Sequence, residues 1–139
     1  MIILDTSVLS ELMKATPDEI VVRWVAGQPA SALYTTSISE AEVFHGIMLL
    51  APGKRRDAFE AAAGAMFEED FDGRILPFES AAAHSYARIA AQRRRSGRPI
   101  SHFDAQIAAI ADSTSASIAT RNVTDFHGCG AKVIDPWQT

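Results

Sequence analysis

Met1-Ile2-Ile3-Leu4-Asp5-Thr6-Ser7 opens the chain with a short apolar run that ends on a carboxylate and two hydroxyls. Three consecutive apolar residues without polar alternation predict a strand covered on both faces, as in a parallel sheet sandwiched by helices. Working outward, Leu33-Tyr34-Thr35-Thr36 reads as a second strand and Ile75-Leu76 as a very short third. Ala116-Ser117-Ile118-Ala119-Thr120 reads as a fourth, and Lys132-Val133-Ile134 as a last, edge strand. These β-prone runs alternate with longer helical ones, which predicts an α/β fold with a mainly parallel central sheet.

The helices show themselves by stripes and stops. One runs from about Ser7, and Pro17 is expected to open another through Val21, Val22, Trp24 and Val25 until Gly27 and Pro29. Val43, Phe44, Ile47, Met48 and Leu50 form an apolar stripe that Pro52-Gly53 breaks. An alanine-rich helix is expected from about Lys54 to Glu69 and another from Glu79 to Arg95, stopped by Gly97 and Pro99. Ser101 starts the last, with Ile107, Ala108, Ile110 and Ala111 on its buried face. No linker, repeat or low-complexity tract divides residues 1–139, so a single domain is expected.

Composition narrows the class. With 47% hydrophobic and 22% charged residues the chain is globular. Cys129 is the sole cysteine, which removes an internal disulfide and the paired thiolates of structural zinc sites, and suits a reducing cytoplasm. The N-terminus has no basic region and meets a carboxylate after three apolar residues, so neither a signal peptide nor a membrane span is expected. A net charge of -4 argues against gripping nucleic acid through a broad basic surface. It leaves room for a carboxylate cluster whose true charge includes a bound cation.

Three acids fall where elements meet. Asp5 ends the first strand, and open parallel sheets bind ligands beyond the carboxyl ends of their strands; it is also placed to cap the following helix. Glu42 lies three residues after Ser39, and Asp104 three after Ser101; both patterns are capping boxes as well as site candidates. Asp125, in the loop after the fourth strand, offers a fourth acid. Right-handed crossovers bring such junctions to one edge of the sheet. Two carboxylates ~4 Å apart repel by about 4 kcal/mol at an effective dielectric near 20, and a divalent cation removes that cost. Hard oxygen donors suit Mg²⁺ or Mn²⁺.

With these residues in view, the chain resembles the PIN-domain ribonucleases, and within them the VapC-like and FitB-like toxins of bacterial toxin-antitoxin pairs. The likeness rests on Ile3-Leu4-Asp5-Thr6-Ser7, the segment Ser39 to Gly46, and Arg74-Ile75-Leu76-Pro77-Phe78. It continues through Gly97-Arg98-Pro99-Ile100, the run from Asp104 to Ala111, Ala119-Thr120-Arg121-Asn122-Val123-Thr124-Asp125-Phe126 and Asp135-Pro136-Trp137. The resemblance implies a PIN-like α/β/α sandwich and an endoribonuclease dependent on Mg²⁺, with Mn²⁺ as a substitute. Asp5 and Asp104 then look like direct metal ligands, and Glu42 like the acid that holds the ion or its water. Some relatives carry an aspartate where this chain has Asn122, so either Asn122 or Asp125 completes the site, with Asp125 slightly favoured. Thr6, Ser7 and Thr120 have hydroxyls for ligands or phosphate, or for turns and caps. The resemblance further implies RNA cut to a 5′-phosphate and a 3′-hydroxyl, a homodimer, and a small antitoxin whose tail enters the acidic pocket. Asn122 also keeps open a catalytically weak or inactive module that binds RNA or protein.

Other signals carry less. Arg93-Arg94-Arg95 with Arg98, and Lys54-Arg55-Arg56, are basic runs suited to an RNA backbone or to solvated helix faces. The four histidines form no ligand pair at helical spacing, although His102, two residues before Asp104, is placed to line the pocket. P-loop and Gly-x-Ser-x-Gly motifs are absent, and an aspartyl phosphatase would want a second aspartate where Ser7 stands.

Overall fold

Five short strands lie side by side in a computed structural model that describes all 139 residues. They are β1 (Ile2–Leu4), β2 (Leu33–Thr36), β3 (Ile75–Leu76), β4 (Ser117–Ala119) and β5 (Val133–Ile134), in the order β3-β2-β1-β4-β5. Every pairing is parallel. Ile3 stands opposite Tyr34 on one side and Ile118 on the other, so β1 is the centre of the sheet. Six helices connect the strands: α1 (Thr6–Leu12), α2 (Glu19–Ala26), α3 (Ser37–Met48), α4 (Lys54–Ala65), α5 (Ser80–Arg95) and α6 (His102–Thr114).

Alternation along the strands divides the core in two. Ile3 and Ile118 point to one face, where they pack with Ile89 of α5 and with Ile107, Ala108 and Ala111 of α6. Leu4 and Ala119 point to the other, among Val8, Leu9, Val21, Val43 and the rings of Phe67 and Phe71. An apolar side chain taken fully out of water contributes about 1.5–3 kcal/mol, and the central strands place one such residue on each face. That is why Ile2-Ile3-Leu4 shows no polar alternation.

Two helix starts and one helix end differ from the sequence reading. α2 is capped by Asp18, whose side chain accepts from Ile20 N at 2.8 Å, so Pro17 precedes the helix and does not open it. α3 begins at Ser37 under a cap from Thr36, whose Oγ1 accepts from Ser39 N at 3.1 Å. Ser39 is therefore inside the helix. The alanine-rich helix ends as regular α-helix at Ala65 and finishes in a π-helical turn, Met66–Asp70, that seats Phe67 and Phe71 in the core.

Candidate active site

From β1 through β2 to β3 the chain steps in one direction across the sheet; α5 and α6 then carry it back to β4 on the far side of β1. The reversal opens a crevice between the carboxyl ends of β1 and β4, where open parallel sheets bind ligands. Asp5 and Thr120 are the first residues beyond those two strands, and they meet across it.

Asp5 is 4% exposed and occupies the cap position of α1 without capping it. Its Oδ2 instead accepts from Thr120 Oγ1 at 2.8 Å and Ser7 Oγ at 3.0 Å. Each hydroxyl is oriented in turn by the loop after β4: Asn122 N donates to Thr120 Oγ1 at 3.0 Å, and Arg121 N to Ser7 Oγ at 3.1 Å. With its lone pair taken by an N–H, each hydroxyl directs its hydrogen at the carboxylate. A hydrogen bond to a charged group is worth about 1.5–3 kcal/mol, so two of them fix this carboxylate firmly. Oδ1 has no partner in the protein, and no fully buried polar side-chain atom is left unpaired, so Oδ1 opens to the cleft.

Glu42 comes from the second turn of α3, because the cap lies at Thr36 and not at Ser39. The capping-box reading of Ser39 and Glu42 is thus overturned: Glu42 Oε1 accepts from Thr6 Oγ1 of α1 at 2.8 Å, with Ser39 Oγ 2.9 Å from the same hydroxyl. Burial pushes the Glu42 pKa up, the Thr6 hydrogen bond opposes that, and the charges of Asp5 and Asp104 add to the rise.

Asp104 lies in the first turn of α6, where Ser101 caps by accepting from Asp104 N at 3.2 Å. The serine half of the predicted capping box forms, and the Asp104 carboxylate makes no return bond to Ser101 N–H. Its pKa is also raised, first by burial and then by Asp5 and Asp125, against the lowering effects of Ser101 and Arg93. The charges of Asp5 and Asp104 thus act on Glu42, and those of Asp5 and Asp125 on Asp104, although their elements are far apart in sequence.

Asp125 stands on a 3-10 turn, Val123–Phe126, and is exposed. Asn122, also exposed, is tied in through its main-chain N–H while its side chain makes no hydrogen bond. The loop is held from α5 by Arg93, whose side chain donates to Asp125 O at 2.8 Å and Arg98 O at 2.7 Å. Arg93 is 8% exposed, so the first of the basic runs does not offer all its members to solvent. Sequence reasoning missed this role; the signal available was that Arg93 follows Ile89 by four residues on the face of α5 that meets the sheet.

No group of three or more Asp, Glu, His or Cys side chains stands at metal-coordination geometry. The donors that converge are carboxylates and hydroxyls, a hard oxygen set. His102 turns to Tyr86, with Nδ1 2.8 Å from the phenol oxygen, and contributes no imidazole to the acids. The largest cavity, about 710 Å³, lies elsewhere, lined by Leu12, Met13, Val25, Met66 and Phe71 among others.

A sequence profile of the PIN domain matches residues 2–127. The chain belongs to the PIN domain family. It is 39% identical to the VapC ribonuclease Y4jK of Sinorhizobium fredii, over 99% of both chains. It is 35% identical to the toxin FitB of Neisseria gonorrhoeae, again over 99% of both. The crystal structure of FitAcB from Neisseria gonorrhoeae covers 100% of this chain and 100% of its own with a TM-score of 0.93 at 34% identity. The five-stranded parallel sheet between helices is thus the PIN-like α/β/α fold. No helix is long and apolar enough to cross a membrane.

Proposed function

We propose that this PIN domain is a divalent-metal-dependent endoribonuclease, the toxin of a toxin-antitoxin pair, that hydrolyses RNA phosphodiester bonds in the cytoplasm. The observation that carries the reading is that Asp5, held by Ser7 and Thr120, and Glu42, held by Thr6, meet at the strand-order reversal beside the first turn of α6 that carries Asp104. The names of the relatives, a VapC ribonuclease and a toxin, support the same activity.

The donor set fits Mg²⁺ or Mn²⁺. Zinc sites take three or four protein ligands, rich in imidazole and thiolate, whereas Mg²⁺ is held by one or two carboxylates and keeps several waters. Acids spaced for mutual influence but not for a closed cage suit the latter. Asp5, through its open Oδ1, and Asp104 would hold the ion, and Glu42 would orient water beside it. When bound, the ion would supply Lewis acidity and charge neutralisation at a phosphate oxygen. The protein's own part is preorganisation: Ser7 and Thr120 aim Asp5, and Thr6 aims Glu42. Asp125, whose charge acts on Asp104, completes the acids in preference to Asn122.

The antitoxin reading has local support in a second cavity of about 250 Å³ that touches Glu42 and is otherwise lined largely by Met13, Val43, Ile47, Leu50 and Phe59. It would take apolar side chains of a protein tail beside the acids. Homodimerisation belongs to the same reading, and Met48, Leu49 and Phe103 are exposed apolar side chains available to it.

The test is digestion of single-stranded RNA with Mg²⁺, Mn²⁺ or EDTA. Cleavage that requires the metal and leaves 5′-phosphate ends is expected. Tight RNA binding without turnover at saturating Mn²⁺ would favour a binding module, and undiminished cleavage by both Asp5→Asn and Asp104→Asn would reject the site.

A further inference from the structure

Arg93 is the one buried arginine, and it makes no ion pair: the ion pairs of the molecule are Lys14–Glu11 and Arg88–Asp112. A buried cation without an ionic partner is costly unless its donors are well used. Here they are. Nε donates to Arg98 O at 2.7 Å; Nη1 donates to Asp125 O at 2.8 Å and His127 O at 3.3 Å, with Cys129 Sγ at 3.6 Å.

These acceptors belong to two segments. Arg98 follows the end of α5, where Arg98 N donates to Arg93 O at 2.9 Å, Gly97 N donates to Arg94 O at 3.1 Å, and Gly97 takes φ +74°. This is a Schellman turn, which brings Arg98 O back toward the Arg93 side chain. The other acceptors span the loop from Asp125 to Cys129. Main-chain bonds within that loop are local, from Asp125 N to Asn122 O, His127 N to Thr124 O and Cys129 N to Phe126 O. Phe126 and Cys129 are buried, while Asp125 and His127 are exposed. The polar tie between this loop and α5 is therefore the guanidinium.

We propose that Arg93 is a positioning residue of the nuclease site: its guanidinium clamps the 122–129 loop to α5 so that the Asp125 carboxylate faces Asp104. The inference rests on the nuclease reading and deepens it. The same loop is tied to the acids at its start, where Asn122 N donates to Thr120 Oγ1 and that hydroxyl donates to Asp5 Oδ2. Lysine keeps the charge and loses the planar fork that serves both segments, so Arg93→Lys separates clamp from charge.

Full-length wild type, Arg93→Lys, Asp125→Asn and the double variant are compared by Mn²⁺ titration followed by electron paramagnetic resonance, by RNA cleavage, and by hydrogen exchange of amides 122–129. Circular dichroism melts check folding. Arg93→Lys is expected to speed exchange in the loop, to weaken Mn²⁺ binding and lower kcat by about tenfold, and to leave the KM for RNA within about twofold. Added to Asp125→Asn it should cost nothing more, since both remove one contribution. Multiplying effects, unchanged loop exchange, or a weakened Arg93→Lys beside a fully active Asp125→Asn would each overturn the proposal. If Arg93→Lys does not fold, the wild-type Nε proton decides: slow exchange in its NMR signal is expected, and rapid exchange contradicts the clamp. Absence of cleavage by wild type counts against the nuclease reading, and loop exchange then still decides the clamp.

Discussion

Asp5 and Asp104 bring the same functional group to one cleft from different kinds of element. Asp5 ends a central strand, is almost fully buried, and has one oxygen fixed by two hydroxyls that the β4 loop itself orients. Asp104 rides the first turn of a helix, half-buried, and its carboxylate is left to its neighbours' charges. Glu42 lies between these cases, with a single hydroxyl from Thr6. The contrast shows how a parallel sheet divides the labour: the strand end fixes a reference carboxylate, and helices bring further acids toward it at an electrostatic cost that the proposed cation would offset.

If that division is right, substitutions should rank accordingly. Asp5→Asn removes the fixed ligand and is expected to lower cleavage on the order of a thousandfold with the fold intact, read by single-turnover RNA digestion and circular dichroism. Asp104→Asn should cost less, about a hundredfold. A larger loss from Asp104→Asn would break the comparison. Thr120→Val deprives Asp5 Oδ2 of one donor and Asn122 N–H of its acceptor in a fully buried position, so it should destabilise by about 1–3 kcal/mol in urea melts. Ser101→Ala, which removes only the α6 cap, should cost about 1 kcal/mol. Equal losses would mean that the strand-end network is no stronger than an ordinary cap.

The smallest expected effect is in pH dependence without metal. Glu42 and Asp104 have pKa values raised in the folded protein, so the folded state holds more protons than the unfolded one above the ordinary carboxylate pKa. The stability this linkage contributes is full at lower pH and lost as pH rises through the raised folded values. In EDTA the Tm should therefore fall across that window, less so in Glu42→Gln. Mg²⁺ or Mn²⁺ should abolish the fall, because cation binding favours the ionised acids. A Tm that rises through the window in EDTA would contradict the raised values.

The central strand and the sheet class were legible because an apolar run covered on both faces has no polar alternation, as Ile2-Ile3-Leu4 shows. The placing of Asp5 at a strand end followed from the same run. Caps were less legible. Thr36 and Ser39 both carry a hydroxyl near the start of α3, and which one caps depends on where the backbone leaves the sheet, a tertiary outcome. Pro17 was expected to open α2, and the helix instead starts after Asp18, whose side chain accepts from Ile20 N. Arg93 was hidden because Arg93-Arg94-Arg95 looks uniformly solvated until α5 turns one member toward the 122–129 loop. The duty of Thr120 toward Asp5 links residues more than a hundred positions apart, which no local pattern encodes.

The central claim is that Asp5, Glu42 and Asp104 form one pocket for a hard divalent cation, and Mn²⁺ titration followed by electron paramagnetic resonance addresses it without relying on any RNA. Saturable binding by the wild-type protein is expected, competed by Mg²⁺ and weakened in each of Asp5→Asn, Glu42→Gln and Asp104→Asn. Binding of equal strength in all four proteins would contradict it.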